Sequence, residues 1–278
     1  MADRFLIVDV FAREPLAGNA LAVFPDAAAI EPARMQTIAR EFNLSETTFV
    51  TRAEGSSYDV RIFTPFEEMP FAGHPTLGTS WTLRHLGLVD GEVIVQNSPA
   101  GETPVTFEGD RVWLERGGDP GTDLVDVDEM LVALDLDPTD VGFDAATIGG
   151  KPADLQPAIA DAGVPIYILP MGDPDRVARL ALPTLPEKID GVYCVAPLGN
   201  GRIKARFFGA GFGVAEDPGT GGAAAALGIY LGARAGELDV EIEQGVEIGR
   251  PSFISLRAAP GKARVGGEVH LASEGSLL

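Results

Sequence analysis

The sequence predicts an α+β protein in which one arrangement of strands and helices occurs twice. Two similar turns support this prediction, because Phe71–Gly78 and Glu216–Gly222 each set a titratable residue before a proline and lead into small or apolar residues. His74 and Asp217 lie 143 positions apart (217 − 74). The predicted order of elements is the second observation, since strand, helix, strands, central helix and strands follow one another in both halves.

The first half is expected to contain several strands and two helices. Alternating and continuous apolar runs predict the strands, and Ile38, Ala39 and Phe42 recur at helical spacing. Gly87 marks the end of the second helix, because glycine often follows a helix C-terminus. The predicted strands are 5–11, 21–24, 45–50, 58–63, 93–96 and 111–114, and the predicted helices are 32–42 and 75–86.

The second half is expected to follow a linker at 117–121, which is rich in turn-forming residues. The predicted domains are therefore residues 1–117, joined by a returning strand within 262–278, and residues 122–261. The helix at 218–235 is rich in alanine and glycine, which indicates close packing inside a shell of sheet. The other predicted helices are 127–134 and 173–180, and the predicted strands are 165–169, 192–195, 203–208, 240–245, 253–256 and 265–271.

Charge and composition exclude several classes of partner. The chain has 278 residues and a formal net charge of −20, which argues against nucleic acid and anionic membranes, since both bind positive surfaces. No apolar run approaches the roughly 18–20 residues of a membrane span, and residues 1–5 lack the pattern of a signal peptide. We therefore expect a cytoplasmic protein. Cys194, the only cysteine, lies in a predicted strand and is expected in the core, without a disulfide or thiolate metal site.

His74 and Asp217 are the first two candidate catalytic residues. Because proline is tolerated at the first helical position, both residues are expected at the N-caps of helices. Two helix N-termini would offer unpaired N–H groups and positive dipole ends to an anion such as a carboxylate. Two titratable groups facing one another across a cleft would also suit moving a proton on and off carbon. Plain capping of each helix stays open as the structural alternative.

Glu46 is the third candidate, because a carboxylate between Ser45 and Thr47 on a short apolar strand is unusual for a solvated edge. From the residues alone, a functional and a structural role are equally supported. The loops at 18–20 and 245–251 contain glycines and are interpreted either as walls of a pocket or as ordinary turns. His85 and His270 are expected to be structural.

Motifs of other enzyme classes are missing from the sequence. Gly209–Gly213 does not continue into GxGxxG because Val214 follows it, and no lysine follows residues 219–222 as in a phosphate-binding P-loop. HExxH, histidine and carboxylate clusters with metal spacing, and the GxSxG nucleophile turn do not occur. The sequence therefore predicts no nucleotide, metal or serine-nucleophile chemistry.

Five segments together resemble the PhzF-like family of phenazine biosynthesis, whose fold is that of diaminopimelate epimerase. They are spread over most of the chain in the family's order, and together they are highly specific. The segments are Asp9-Val10-Phe11 with Gly18-Asn19; Asn43–Phe49; Phe63-Thr64-Pro65 with Pro70–Gly78; Glu216–Gly221; and Gln244-Gly245 with Gly249–Ser252.

The resemblance implies two pseudo-symmetric α+β domains, each a curled mixed β-sheet around a central helix, with the active site in the cleft between them. It also implies a homodimer that acts on a small carboxylated molecule without cofactor or metal. The best understood members isomerise trans-2,3-dihydro-3-hydroxyanthranilate by moving a proton between carbons. We therefore expect a cofactor-independent isomerase that works by proton transfer.

The resemblance also implies a role for each matching residue. Glu46 would take the proton and later return it, while His74 and Asp217 would hold and polarise groups of the substrate. Backbone amides at the two turns would bind the carboxylate. The predicted substrate-binding residues are Asn19, Gly73, Gly219, Thr220, Gly221 and Gly222.

Two departures limit which reaction the resemblance supports. The related epimerases place cysteines at the two turns, whereas this chain has Ala72-Gly73 and Asp217-Pro218 there, which excludes racemisation by two cysteines. Gly222 stands where the family usually has serine, so a donor is lost and the site gains room. An amino-acid epimerase or racemase without cysteine, and a small-molecule binding protein that has lost turnover, remain the alternative functions.

Overall fold

The computed structural model describes residues 3–124 and 127–278 of the chain. Met1, Ala2, Val125 and Asp126 fall within the predicted domains and lie outside the described residues. The chain divides into two compact units, residues 1–114 with 266–278 and residues 115–265. Each unit is rich in sheet and has few helices, which confirms the α+β class.

Residues 3–117 form short strands and two helices. In chain order these are β1 (Asp3–Val10), β2 (Asn19–Phe24), α1 (Pro32–Phe42), β3 (Glu46–Glu54), β4 (Ser57–Phe63), β5 (Glu68–Met69), α2 (Gly73–His85), β6 (Val93–Ser98), β7 (Gly101–Glu108) and β8 (Arg111–Gly117).

The remaining described residues form three further helices and ten strands. In chain order these are α3 (Asp128–Leu134), β9 (Phe143–Asp144), β10 (Asp154–Leu155), β11 (Ala158–Asp161), β12 (Pro165–Pro170), α4 (Pro174–Ala178), β13 (Val192–Gly199), β14 (Arg202–Gly209), β15 (Val214–Asp217), α5 (Gly221–Ala235), β16 (Leu238–Gln244), β17 (Ser252–Ala259) and β18 (Lys262–Leu277). Short 3₁₀ helices cover Pro138–Asp140, Ala145–Ile148, Ala210–Phe212 and Val246–Ile248.

Strand pairing follows the same order in the two units. In the first unit β1–β2 is antiparallel, β2–β3 parallel, β3–β4 antiparallel, β4–β6 parallel and β6–β7 antiparallel. The second unit repeats this alternation of antiparallel and parallel pairing, in the same order, in the pairs β11–β12, β12–β13, β13–β14, β14–β16 and β16–β17. The short strands β5 and β15 pair with β4 and β14 respectively, each just before a long helix. In the first unit, β1 also pairs with β18.

A largely buried helix packs on the sheet of each unit. In the first unit α2 packs on β1, β2, β3, β6 and β7, and in the second α5 packs on β11, β12, β16 and β17. Small residues allow this close approach, since a Cβ on Gly232 would lie 2.2 Å from the carbonyl oxygen of Ala259 in β17. The packing predicted for the alanine- and glycine-rich helix is therefore confirmed.

The predicted starts of these two helices are wrong. The first bond of α2 runs from the amide of Thr76 to the carbonyl of Ala72, so Ala72 is the N-cap and His74 is the second helical residue. Pro75 fits within this first turn because the first N–H groups of a helix have no partner inside the helix.

In the second unit, Asp217 ends β15 and Thr220 is the N-cap of α5. The carbonyl of Asp217 accepts a hydrogen bond from Gln244 Nε2 at 2.7 Å. The first bond of α5 runs from the amide of Ala224 to the carbonyl of Thr220 at 2.9 Å. Asp217 is therefore not a helix cap, and aligning the true helix starts gives an offset of 148 (221 − 73) in place of 143.

Several strands and one connection differ from the sequence predictions. The strands not predicted are β7, which contains Pro104, the four-residue β11 and β15, and the two-residue β5, β9 and β10. The predicted linker at 117–121 is not a free connection, because Asp119 exchanges backbone hydrogen bonds of 2.9 and 2.8 Å with Asp161 of β11. A Cβ on Gly118 would clash with the backbone of Asp161.

Of the residues expected to be structural, Cys194 is buried, His85 is exposed and His270 is half-buried. Cys194 is fully buried in β13, and burial raises the pKa of its thiol to about 12, so the prediction of a core cysteine is confirmed. The ring of His85 stacks on Trp81 with centroids 4.7 Å apart. His270 Nε2 lies 3.7 Å from a carboxylate oxygen of Glu268. Within residues 3–124 and 127–278, no helix is long and apolar enough to cross a membrane.

A pair of substitutions on α5 tests how closely this helix packs. We expect Gly232→Ala to lower the free energy of unfolding by about 1–3 kcal/mol, because the new methyl group meets backbone that has no room to move. Gly222→Ala is the matched control, since its Cβ would meet no atom within 4 Å. It should change stability by no more than about 1 kcal/mol. Urea denaturation followed by circular dichroism measures both, and equal effects would contradict the packing described here.

Candidate active site

The first group of candidate residues lies where β2, β3 and α2 begin. Asn19 is the first residue of β2, Glu46 is the first residue of β3, and His74 is the second residue of α2. Because β2 and β3 run parallel, with Leu21 opposite Glu46, their first residues lie at the same end of the sheet. The fold of the first unit therefore brings Asn19, Glu46 and His74 together.

The loop between β1 and β2 fixes the position of Asn19. Gly18 has a φ of +66°, and a Cβ there would lie 2.4 Å from the carbonyl oxygen of Val10, so only glycine fits. The buried carboxylate of Asp9 accepts a hydrogen bond from the amide of Leu16 at 2.7 Å. These contacts fix the conformation of the loop, which places the buried Asn19 beside His74.

His74 connects the other two residues of this group. Its Nε2 lies 3.4 Å from Glu46 Oε2, and its Nδ1 lies 3.4 Å from Asn19 Nδ2. The His74 side chain is 5% exposed, whereas that of Glu46 is 17% exposed. Glu46 therefore has a partly exposed side chain, whereas its Oε2, which faces the buried His74, is itself buried.

The charge and tautomer of His74 follow from these surroundings. Burial lowers the pKa of His74 to about 3, so the imidazole is neutral at neutral pH. With the amide nitrogen of Asn19 assigned to this side, Asn19 donates and Nδ1 accepts. The ring proton then sits on Nε2, the nitrogen that faces Glu46. His74 is thus arranged as a neutral hydrogen-bond donor.

The second group lies in the second unit, between β15 and α5. Asp217 is the last residue of β15 and is 7% exposed. Thr220, the N-cap of α5, donates a hydrogen bond of 2.6 Å from Oγ1 to Asp217 Oδ2. Gly219 lies between these two residues, and Gly221 and Gly222 follow as the first residues of α5. The fold therefore places all the predicted residues of the second turn beside one another.

The starts of α2 and α5 share an electrostatic property. Neither N-cap, Ala72 or Thr220, caps its helix through its side chain. First-turn amides in both helices therefore receive no bond from an N-cap side chain, and each helix has its positive dipole end there. The exposed Gly222 adds no side chain to the start of α5. Both arrangements suit an anionic group of a ligand.

A buried ion pair anchors the strand that ends at Asp217. Arg206 on β14 donates to both carboxylate oxygens of Glu216 on β15, at 2.8 and 2.7 Å. Both side chains are almost completely buried. Arg206 also donates to the carbonyl of Leu180 at 2.5 Å, which ties β14 to the segment after α4. Bidentate bonding of this kind fixes geometry as well as adding energy, so the end of β15 is held in place.

The donors and acceptors of these groups do not form a metal centre. Within the described ranges, 3–124 and 127–278, no three His, Cys, Asp or Glu side chains are arranged to hold a metal ion. Each unit instead combines one carboxylate with neutral hydrogen-bond donors. Such a set suits binding of an anion and transfer of a proton.

Gln244, for which the sequence predicted no site role, contacts the second group directly. Gln244 ends β16, and its side-chain amide bonds both Thr220 and the backbone of Asp217. A signal for it was present in the sequence, because Gln96 and Gln244 lie 148 positions apart (244 − 96), the same offset as the two helix starts. The offset of 143 between His74 and Asp217 does not align this pair.

Comparison with known proteins identifies relatives over nearly the whole chain. The model of the PhzC-PhzF family, described as phenazine biosynthesis-like protein, matches residues 8–275. A trans-2,3-dihydro-3-hydroxyanthranilate isomerase from Pseudomonas fluorescens is 36% identical over 91% of this chain and 90% of its own length.

Solved structures show the same fold. A phenazine biosynthesis protein of the PhzF family from Bacillus anthracis superposes with a TM-score of 0.84 at 23% identity, over 100% of this chain and 99% of its own. A hydroxyproline epimerase from Agrobacterium vitis shares the fold at a TM-score of 0.56 and 10% identity, over 99% of this chain and 92% of its own. The family match and the identity to a named isomerase agree with the residues described above. The chain therefore belongs to the phenazine biosynthesis-like family and is an isomerase of that family.

Proposed function

We propose that this isomerase moves a proton between two carbons of a small carboxylated substrate, with Glu46 carrying the proton. The observation that carries the proposal is the pairing of Glu46 with a buried, neutral His74 at 3.4 Å. The named activity of the relative from Pseudomonas fluorescens supports an isomerisation of this kind.

Glu46 acts first as a base and then as an acid. Its carboxylate takes the proton as the C–H bond of the substrate breaks, and the electron pair moves into the conjugated system. The same carboxyl group then returns the proton to a different carbon, where a new C–H bond forms. The reaction is redox-neutral, so its atoms and electrons balance without an oxidant, a reductant or a cofactor. Such a group contributes roughly 10²–10⁴-fold in rate.

His74 and Asp217 hold and polarise the substrate in this proposal. A neutral Nε2–H donates to a substrate oxygen without adding a full positive charge to the site. Asp217, oriented by Thr220, accepts a hydrogen bond from a polar substituent of the substrate. Asn19 fixes the ring of His74 through Nδ1.

Backbone amides bind the substrate carboxylate. Gly73 at the start of α2, and Gly219 to Gly222 at the start of α5, supply N–H groups at positive helix ends. We propose that the two units are related domains, as the family resemblance implies, and that both groups of residues act on one substrate. The matching order of strand pairing supports the relationship of the domains.

The substrate resembles dihydro-hydroxyanthranilate in its carboxylate and in having an activated C–H bond. Gly222 leaves open space where a serine would place a hydroxyl group, so the substrate of this enzyme is expected to be bulkier or less polar at that point. We also propose a homodimer, on the strength of the family resemblance alone.

Incubation in D₂O tests the reaction class. The protein is incubated with trans-2,3-dihydro-3-hydroxyanthranilate and, separately, with a panel of amino acids, and carbon-bound deuterium is followed by NMR. Conversion of the first compound to its isomer supports the proposal. Deuterium at an α-carbon with loss of optical purity would establish an epimerase instead. Tight binding without turnover or exchange would establish a binding protein.

Glu46→Gln is expected to lower the rate of isomerisation by about 10²–10⁴-fold, because the amide cannot accept and return a proton. Glu54→Gln is the matched control. Glu54 lies at the exposed end of the same strand and forms an ion pair with Arg52. It should leave the rate unchanged. A folded Glu46→Gln protein with the wild-type rate would rule out the assigned role of Glu46.

The neutral state of His74 predicts a pH dependence of stability. The folded pKa of about 3 lies below the ordinary value of 6.5, so the unfolded chain binds the extra proton between these values. The contribution is complete above pH 6.5 and is lost as the pH falls toward 3. Between pH 7 and pH 5 the wild type should lose about 2 kcal/mol more than His74→Asn in urea denaturation.

Imidazole nitrogen shifts provide the direct check on the same group. The ¹⁵N NMR signals of His74 should show a neutral ring with its proton on Nε2 throughout this pH range. A ring that gains a proton between pH 7 and pH 5 would contradict the arrangement.

A further inference from the structure

Gln244 occupies the centre of a fully bonded network in the second unit. The side chain is completely buried, and all four of its hydrogen-bonding positions are used. Oε1 accepts from the hydroxyl of Tyr193 at 2.9 Å and from the amide of Thr220 at 3.3 Å. Nε2 donates to the carbonyl of Asp217 at 2.7 Å and to Thr220 Oγ1 at 2.9 Å.

The backbone partners of Gln244 fix the orientation of its amide. The N–H of Thr220 only donates, and the carbonyl of Asp217 only accepts, so Oε1 must face Thr220 and Nε2 must face Asp217. Tyr193 is fully buried, and burial raises the pKa of its phenol, so it stays protonated and donates to Oε1. An amide flip, which exchanges the positions of Oε1 and Nε2, would break all of these bonds.

This orientation determines where the hydroxyl proton of Thr220 lies. A threonine hydroxyl has one proton to donate, and its oxygen already accepts from Gln244 Nε2. The proton is therefore directed to Asp217 Oδ2, at 2.6 Å. The hydroxyl is used in this way instead of capping α5. A hydrogen bond donated to a carboxylate favours its charged, acceptor-only form.

The first unit contains a related glutamine that serves as an internal comparison. Gln96 on β6 accepts from the hydroxyl of Tyr58 at 2.9 Å and donates to Thr76 Oγ1 at 2.9 Å. The hydroxyl of Thr76 then donates to the carbonyl of Ala72 at 2.8 Å. Both networks therefore run from tyrosine through glutamine to threonine at a helix start, but only the network of Gln244 ends on a carboxylate.

The loop after Gln244 adds to this support. Gly245 has a φ of +76°, and a Cβ there would lie 2.5 Å from the carbonyl oxygen of Pro218 and 2.4 Å from that of Arg250. The turn that contains Pro218 is therefore packed directly against the end of β16. Gln244 and Gly245 together hold both the backbone and the carboxylate of the turn.

We propose that Gln244 is a positioning residue that acts through Thr220. It orients the carboxylate of Asp217 and keeps this carboxylate a hydrogen-bond acceptor. The proposal rests on the proposed function of Asp217 but concerns the bonding of its carboxylate, which is measurable without turnover.

Carboxyl NMR tests the bonding directly. The protein is labelled with ¹³C at aspartate carboxyl groups, and the signal of Asp217 is assigned by its loss in Asp217→Asn. Gln244→Met and Thr220→Val should both shift this signal at neutral pH, and Thr220→Ser should return it toward the wild-type position. Gln96→Met is the matched control, because it removes the same kind of buried amide without a path to Asp217. It should lower the melting temperature and leave the signal of Asp217 in place.

Kinetics with trans-2,3-dihydro-3-hydroxyanthranilate provide the second readout. Loss of a hydrogen bond to a charged group should lower kcat by about 10- to 100-fold in Thr220→Val and Gln244→Met, with a smaller change in KM. Thr220→Ser should recover most of this loss.

The two readouts separate the possible failures. An unshifted Asp217 signal in a folded Thr220→Val protein would overturn the proposal, whatever the activity. So would a signal that Gln96→Met shifts as far as Gln244→Met does. A shift in the expected variants, with no turnover of the compound by the wild type, would contradict the proposed substrate and leave the positioning role intact.

Discussion

The burial of His74 beside Glu46 is the constraint on which the first half of the candidate site depends. A buried imidazole loses its solvation and stays neutral, so its two nitrogens take opposite hydrogen-bonding roles. Asn19 faces one nitrogen and Glu46 faces the other. The parallel pairing of β2 and β3 sets the starts of both strands at one end of the sheet, which makes this three-residue contact possible.

The two units share one arrangement of hydrogen bonds, but the arrangement ends on a different chemical group in each. In each, a glutamine from the strand after the long helix reaches back to the start of that helix and bonds a threonine and a tyrosine. The network of Gln96 ends on a backbone carbonyl and supports α2, whose second residue is His74. The network of Gln244 ends on the carboxylate of Asp217. A repeated scaffold thus presents a histidine in one unit and an aspartate in the other.

Local patterns predicted several elements well, and tertiary contacts account for the errors. The helix at 32–42 was predicted correctly because its apolar spacing and Pro32 at its start are local signals. The predicted start of α5 was wrong because Asp217 pairs with Phe207 of β14 as part of β15, and the first helical bond reaches only Thr220. β7 was missed because Pro104 disfavours a strand, and no local signal shows that its partner Val95 accommodates it. Sequence motifs predicted the residues around Glu46, His74 and Asp217. Gln244 lies in one of the same motifs, but its bonds to Thr220 and Asp217 became visible only in the fold.

An isotope placed in the substrate shows whether Glu46 breaks a carbon–hydrogen bond. Trans-2,3-dihydro-3-hydroxyanthranilate is deuterated at the carbon that gives up its proton and converted in ordinary water, and the product is examined by NMR. We expect deuterium to leave that carbon as the product forms, and we expect this loss to disappear in Glu46→Gln. A product that retains deuterium at that carbon, or label loss that persists unchanged without the Glu46 carboxylate, would contradict this role of Glu46.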